Sequence, residues 1–449
     1  MHDNLLNEIE EAGIVGAGGA GFPTAVKLKA SPDCIVVNGA ECEPILKVDQ
    51  QLAEAFAQEL MSTLQKLVTV LGAKRGIFAL KEKYYQATKN LRKEAKNHPD
   101  LSIHALGNYY PMGDEQVLVY EVTGRIVPEG GIPLTCGVVV INVETLLNIY
   151  KAIELKKPVT EKYLTVAGAV KNPGTFKVPL GIGYAEIIAA AGGAIIEEPT
   201  LIVGGPMMGQ VETNLDAPVT KTSKGLILLR KDHPLVLSKN RPIQEMMRIG
   251  KTACCQCMLC TDLCPRYMLG HRLHPDKLMR LASYNDTCEE NAPATHAFLC
   301  CECGLCELAC IMRLQPWKVN KELKKRLGAA GIKNPHRESP SQVNRFRSWR
   351  QFPIPKLIRM VGLAEYEYQP ASLMDFPAQA TSVRLRLKQH LGAPSSPAVS
   401  LHDKVVEGQM IATKDETGLG AHIHASINGR IAAIDDDCIT IERDSLPPI

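Results

Sequence analysis

Apolar positions recur at helical spacing over residues 3–12 and predict an amphipathic helix at the start of the chain. The stretch "CIVVNGAECEP" from Cys34 reads differently. A short continuous apolar run closes on Asn38-Gly39, which predicts a strand ending in a polar turn. Residues 162–210 alternate strand-like runs with turn signals around Asn172-Pro173-Gly174, and a helix-like "YAEIIAAAGG" then stops on a glycine pair. "NRPIQEMMRIGKTA" and "HPDKLMRLAS" predict helices within residues 240–330. Beyond residue 379 the pattern becomes short alternating strands broken by glycine turns. No apolar run approaches the roughly 20 residues that a membrane-spanning helix needs. The expected class is multidomain, mixing α/β and α+β parts.

At 449 residues the chain should divide into three or four domains. Its formal charge of +3 gives no overall field that favours nucleic acid. The opening "MHDNLLNEIEEAG" is acidic and lacks the apolar core of a signal peptide, so a cytoplasmic protein is expected. Its 15 cysteines then need an explanation other than structural disulfides. Ten fall in two runs, "CCQCMLCTDLCP" from Cys254 and "CCECGLCELAC" from Cys300. The scattered Cys34, Cys42, Cys136, Cys288 and Cys438 are read as inert thiols.

Counted from the first cysteine of each doublet, both runs follow C-x2-C-x2-C-x3-C, and Pro265 completes the first. This is the spacing of bacterial two-cluster ferredoxins, in which three close thiolates hold one cubane and the fourth reaches the other. One [4Fe-4S] cluster is therefore assigned to Cys254, Cys257, Cys260 and Cys310, and the second to Cys300, Cys303, Cys306 and Cys264. Structural zinc uses separated cysteine pairs and has no need of the trailing cysteine, so it is the weaker fit. Cys255 and Cys301 fit neither template and are read as packing residues. His271, His274 and His296 lie nearby and are expected on the surface or at helix caps, since the cysteines already complete both cubanes.

Near the N-terminus, Gly16, Gly18 and Gly21 of "GAGGAGFPTAVKL" satisfy G-x-G-x-x-G, and Glu41 lies about twenty residues further on. A dinucleotide-binding motif of that kind must follow a strand, whereas this one follows a predicted helix, so a Rossmann fold is rejected. Dense glycines still let backbone N–H groups approach a phosphate, with Lys27 as counter-charge. Glu41 and Glu43 beyond the strand suit ribose hydroxyls or a flavin ring, or else a solvated turn.

"GAGGAGFPTAVKL", "NGAECEP", "YYPMGDEQVLVYEVTGR" and "VVVINVETLLNI" occur in an order that resembles the C subunit of Rnf electron-transport complexes. More distantly, they are similar to the NADH- and FMN-binding subunit of respiratory complex I. The resemblance implies FMN contacts from Gly16, Gly18, Gly19, Lys27, Asn38, Gly113 and Asn142, with Gly21 of the same loop also taken as cofactor-binding. It also implies NADH contacts near Phe22, Lys27, Glu43, Tyr110 and Glu115, and Glu41 is taken as cofactor-binding from its place beyond the strand. At "GDE" the pattern departs from complex I, which has two glutamates there, so the resemblance assigns no contact to Asp114.

Residues 160–232 resemble the soluble-ligand-binding β-grasp (SLBB-like) module of the same families, and a spacer role is expected. "HDKVVEGQMIA" and "IHASINGRIAAI" resemble the halves of a biotinyl/lipoyl-like barrel-sandwich module, but no lysine stands where a carrier would be modified. The implied division is an FMN/NADH-binding domain (1–155), the β-grasp module (160–232), a helical two-cluster domain (238–330), a basic linker (331–378) and the barrel-sandwich module (379–449). From Lys321 to Arg359 there are 11 Lys and Arg against two Glu, which reads as a linker or as a docking strip for an acidic partner. With the barrel-sandwich module at the C-terminus, the module order resembles the cobalamin reductases of bacterial propanediol-utilisation microcompartments. That resemblance implies electron flow from NADH through FMN and both clusters to cob(III)alamin and cob(II)alamin. It further implies partnership with a cob(I)alamin adenosyltransferase and shell proteins, and a place inside the microcompartment. An Rnf-type subunit serving a ferredoxin or membrane partner, and a non-catalytic electron-transfer scaffold, are the alternatives.

Overall fold

The predicted first helix is α1 (His2–Glu11), which turns Leu5, Leu6 and Ile9 inward. The computed structural model describes residues 2–284, 292–377, 379–416 and 418–444, so Cys288 lies outside the described residues. After the glycine loop comes α2 (Thr24–Leu28), then β1 (Cys34–Gly39), α3 (Val48–Ala55), α4 (Ala57–Leu71) and β2 (Arg75–Lys81). The domain continues through α5 (Tyr85–Ala95), β3 (Leu101–Leu106), β4 (Tyr109–Tyr110), α6 (Glu115–Thr123), β5 (Val138–Asn142) and α7 (Val143–Leu155). Four strands form a parallel sheet in the order β3-β2-β1-β5. Its centre, β1, is packed on both faces, which is why its sequence is a continuous apolar run and not an alternating one. The chain winds outward from β1 to β3 and then crosses back to lay β5 on the other side of β1. A crevice therefore opens at the C-terminal ends of β1 and β5, where Asn38 and Asn142 stand in register.

The second module forms a mixed sheet from β6 (Glu161–Gly168), β7 (Gly174–Pro179), β8 (Pro199–Val203), β9 (Gln210–Glu212) and β10 (Gly225–Arg230). Asn172 and Pro173 sit in the turn of the β6–β7 hairpin, as the sequence predicts. Helices Ile243–Ala253, Pro275–Ser283 and Pro316–Ala329 pack around Met246, Met279 and Leu323 and carry the cysteine runs between them. At the C-terminus, Val383 and Leu385 point inward while Arg384 and Arg386 point out, the period-two pattern of one sheet of the barrel-sandwich.

Residues 331–378 do not behave as the expected free linker. Phe352–Pro353 pairs with β4 of the first domain, and Leu373–Asp375 adds a parallel strand to β7 of the second. Two of its arginines are also engaged: Arg347 pairs with Glu121 at 2.6 Å and Arg350 with Asp262 at 3.1 Å. The segment is a strap, because its apolar residues Phe352, Ile354 and Leu357 are buried against both neighbours. His271 likewise departs from expectation, being buried with Nε2 2.9 Å from the Val127 carbonyl. His296 stacks on His336.

The terminal module is fastened by a cationic seam. Lys221 is buried and donates to the carbonyls of Gly13 (2.6 Å) and His422 (2.7 Å). Burial holds its pKa down at about 7. Burial, with the nearby Lys221 and His422, holds His424 at about 3, while Glu10 and Lys414 pair across the same joint. Between pH 3 and 6.5 the unfolded chain binds a proton at residue 424 that the folded chain does not, so stability falls on acidification through this window. The expected slope from this group is about 1.4 kcal/mol per pH unit. Denaturant melts at pH 6.5 and 4.5 should show it, and the His424→Leu variant should lose that part of the slope. An unchanged slope in the variant would refute the assignment.

Candidate active site

The crevice is floored by two asparagines. Asn38 closes β1 and donates through Nδ2 to the Gly113 carbonyl at 2.9 Å. Asn142 caps α7, accepting from the Glu144 N–H at 3.0 Å, and donates to Asp49 Oδ1 at 3.0 Å. The glycine loop lies directly over this cap. A Cβ at Gly18 would come within 2.7 Å of the Asn142 amide, so only glycine allows the approach, whereas Gly19 faces open space. Two bonds fix the loop at Ala17, whose N–H donates to Thr145 Oγ1 (2.9 Å) and whose carbonyl accepts from Lys162 Nζ (3.4 Å). The exposed residues Gly18, Gly19 and Ala20 thus stand at the positive end of the 13-residue helix α7. Lys27 donates to Glu115 (2.9 Å) and to the carbonyl of Val140 (2.8 Å), two residues before Asn142. Half-buried Gly16 is tied to the Phe22 carbonyl at 2.9 Å, and the Phe22 side chain is 37% exposed.

Other residues singled out from the sequence face their neighbours instead. The Gly21 position abuts Thr222, Gln389 and His390. Glu43 accepts from the N–H groups of Met207 (2.8 Å) and Met208 (2.9 Å) in the β8–β9 turn. Glu41 is buried beside Asp49, and burial together with that charge pushes its carboxyl up to about 7. Lys224 reaches both, bonding Asp49 and lying 3.5 Å from Glu41. Burial opposes the charge on Lys224, but Asp49 and Glu41 outweigh it and hold its pKa above the usual lysine value. Asp114, left without a role in the sequence, caps α6 through Gln116 and Val117 and pairs with Arg266 at 2.7 Å.

The cysteine loops repeat one backbone shape. Gln256 and Glu302 are left-handed at φ 57° and 58°, and Met258 and Gly304 at 61° and 77°. Such turns wrap the chain around its own thiols. Cys254, Cys257 and Cys260 line one cavity together with Cys310 from the second run. Cys300, Cys303 and Cys306 lie close to one another and to Cys264 from the first run. Cys310 of the second run thus lies beside the leading thiols of the first, and Cys264 of the first beside those of the second. Cys301 is within hydrogen-bonding reach of Cys303 and Arg266, whereas Cys255 is exposed at the first cavity.

The second cysteine set meets the crevice domain directly. Tyr110, buried, donates from its hydroxyl to the Cys303 carbonyl at 2.6 Å. Arg266, two residues after Cys264, holds Asp114. Met207, bonded by Glu43, approaches Gly304. No local pattern in the sequence marks Lys162, Lys224 or Met207, because each acts across a domain boundary. Arg266 differs in following the Cys-Pro pair directly, so the cluster motif itself points to it.

Comparison with known proteins agrees with this architecture. Residues 9–151 match the Nuo51 FMN-binding domain, 163–211 the SLBB domain, 253–315 the 4Fe-4S dicluster domain and 369–445 the RnfC barrel sandwich hybrid domain. The cobalamin reductase PduS of Citrobacter freundii is 42% identical over 98% of this chain and 96% of its own length. That of Salmonella typhimurium strain LT2 is 42% identical over 98% and 97%. The C subunit of the Na(+)-translocating ferredoxin:NAD(+) oxidoreductase complex of Acetobacterium woodii is 34% identical over 64% of this chain and 63% of its own length. A chain of an NAD+-reducing [NiFe]-hydrogenase in the air-oxidized state shares the fold at TM-score 0.50 and 20% identity, covering 82% of this chain and 68% of its own. Four matched modules and end-to-end similarity leave one conclusion: the chain belongs to the PduS cobalamin reductase family.

Proposed function

We propose that the protein is an NADH-dependent flavo-iron–sulfur cobalamin reductase, with FMN in the crevice between β1 and β5 and one [4Fe-4S] cluster in each set of four cysteines. The observation that carries this reading is the abutment of the second cysteine set on the crevice domain through Tyr110–Cys303 and Arg266–Asp114. Bound FMN supplies the conversion of a two-electron hydride into single electrons, which the clusters carry one at a time.

The chain's own residues bind and orient. The Gly18–Ala20 amides and the N-terminus of α7 suit the flavin phosphate, with Lys27 adding positive charge. Asn38, Gly113 and Asn142 would contact the bound flavin, and Phe22 and Glu115 the nicotinamide nucleotide. Half-buried Glu43, bonded to Met207, and buried Tyr110, bonded to Cys303, position the second cysteine loop. We further propose that a cob(I)alamin adenosyltransferase is a partner and that the protein works inside a propanediol-utilisation microcompartment, as the PduS likeness supports. Among the described residues no helix is long and apolar enough to cross a membrane.

Anaerobic NADH titration of reconstituted protein, followed by cob(III)alamin, tests the reading. NADH should bleach flavin and cluster absorbance, and cobalamin should restore both as its own spectrum shifts to the reduced form. Centres that stay reduced in the presence of cobalamin would remove it as the acceptor. Gly18→Val should abolish FMN retention while iron content stays at the wild-type level, since the added side chain meets Asn142. Equal flavin content in that variant would displace FMN from the crevice. Cys310→Ser should cost about half the iron and leave FMN and its bleaching by NADH in place. Loss of all iron, or of none, would contradict the exchanged pairing of the fourth cysteines.

A further inference from the structure

Cys310 lines two cavities at once. One is shared with Cys254, Cys257 and Cys260; the other is an open groove of about 690 Å³ between the helices Pro234–Asn240 and Ile354–Met360. The groove presents Leu237, Ile311 and Met360, all large apolar side chains left exposed. Arg241, Arg313 and Arg359 stand among them. Among the described residues neither Arg313 nor Arg359 forms an ion pair, whereas the groove's Glu307 is already held by Ser238 and by Trp317 Nε1 at 2.7 Å. Exposed apolar surface framed by unpaired cations marks a binding site for an amphipathic anion-bearing molecule.

Its position fixes which end of the protein it serves. The second cysteine set faces the crevice domain, so the first set, which includes Cys310, is the far end of the chain of centres. We propose that this groove seats the terminal acceptor, a corrinoid. Its macrocycle lies on Leu237, Ile311 and Met360, and Arg313 and Arg359 hold the phosphodiester of its nucleotide tail. The concave shape and the clustered arginines match one planar molecule with a single phosphate, rather than the broad flat face a protein partner needs. This rests on the cobalamin reductase reading above. NADH gives up one hydride and becomes NAD+, and two cob(III)alamin molecules each take one electron to become cob(II)alamin. One proton passes to solvent. Electrons reach cobalt without a protein ligand, so the groove needs no histidine for the metal.

The test uses the full reconstituted protein and the Arg313→Gln/Arg359→Gln double variant. Equilibrium dialysis with cyanocobalamin reads binding, and anaerobic NADH bleaching of flavin and clusters reads the upstream path. The variant should bind cyanocobalamin about tenfold more weakly or worse, and its KM for cob(III)alamin should rise in parallel, with NADH bleaching unchanged. Wild-type affinity in the variant would overturn the groove assignment while leaving the reductase reading intact. Wild-type protein that neither binds nor reduces cobalamin would overturn both. A variant impaired only toward a ferredoxin acceptor would overturn the corrinoid as occupant.

Discussion

The structure depends on a knot of charge buried where the first two domains meet. Asp49 of α3 receives Lys224 from the β-grasp module and the Asn142 amide from the end of β5, and Glu41 lies against the same lysine. Alongside it, the wholly buried Lys162 of β6 pairs with Glu144 in the first turn of α7 and touches the glycine loop through Ala17. Removing one partner from a pair of this kind costs about 3–5 kcal/mol, because the other charge is left without water or counter-ion. The knot therefore sets geometry more than it adds stability. It holds Asn142, the cap of α7 and the base of the glycine loop in one arrangement, and the crevice is defined by those three.

That arrangement explains what is legible in the sequence and what is not. The cysteine spacing carries its own geometry, since two-residue gaps and an exchanged fourth ligand are local properties of a loop, and both loops take the same left-handed turns at matching positions. The β1 strand and the amphipathic first helix are legible because burial writes a period into the sequence. Glu41 and Glu43 stand beyond a strand end, as their context predicts, yet their partners come from residues 207, 208 and 224, and no local pattern announces a contact over such separations. The strap departs from its apparent character for a related reason. Its cations dominate the composition, but Phe352, Ile354 and Leu357 decide where it goes.

The β-grasp module likewise proves to be more than a spacer. It delivers Lys162 and Lys224 to the joint with the first domain and Lys221 to the joint with the terminal module, and it offers two backbone N–H groups to Glu43. Its sheet is completed by the strap and its turn approaches the cysteine loop at Gly304. The module has no polar constellation of its own because its polar groups are spent on holding other domains in register.

The strap also orders events during biosynthesis. The short strand β4 finds its partner only when residues 352 and 353 have left the ribosome, and β7 gains its neighbour only at residues 373–375. Both cysteine runs emerge before either pairing can form. The two-cluster domain is thus complete in covalent terms while the face that packs against the strap is still open, and the later pairings close over it.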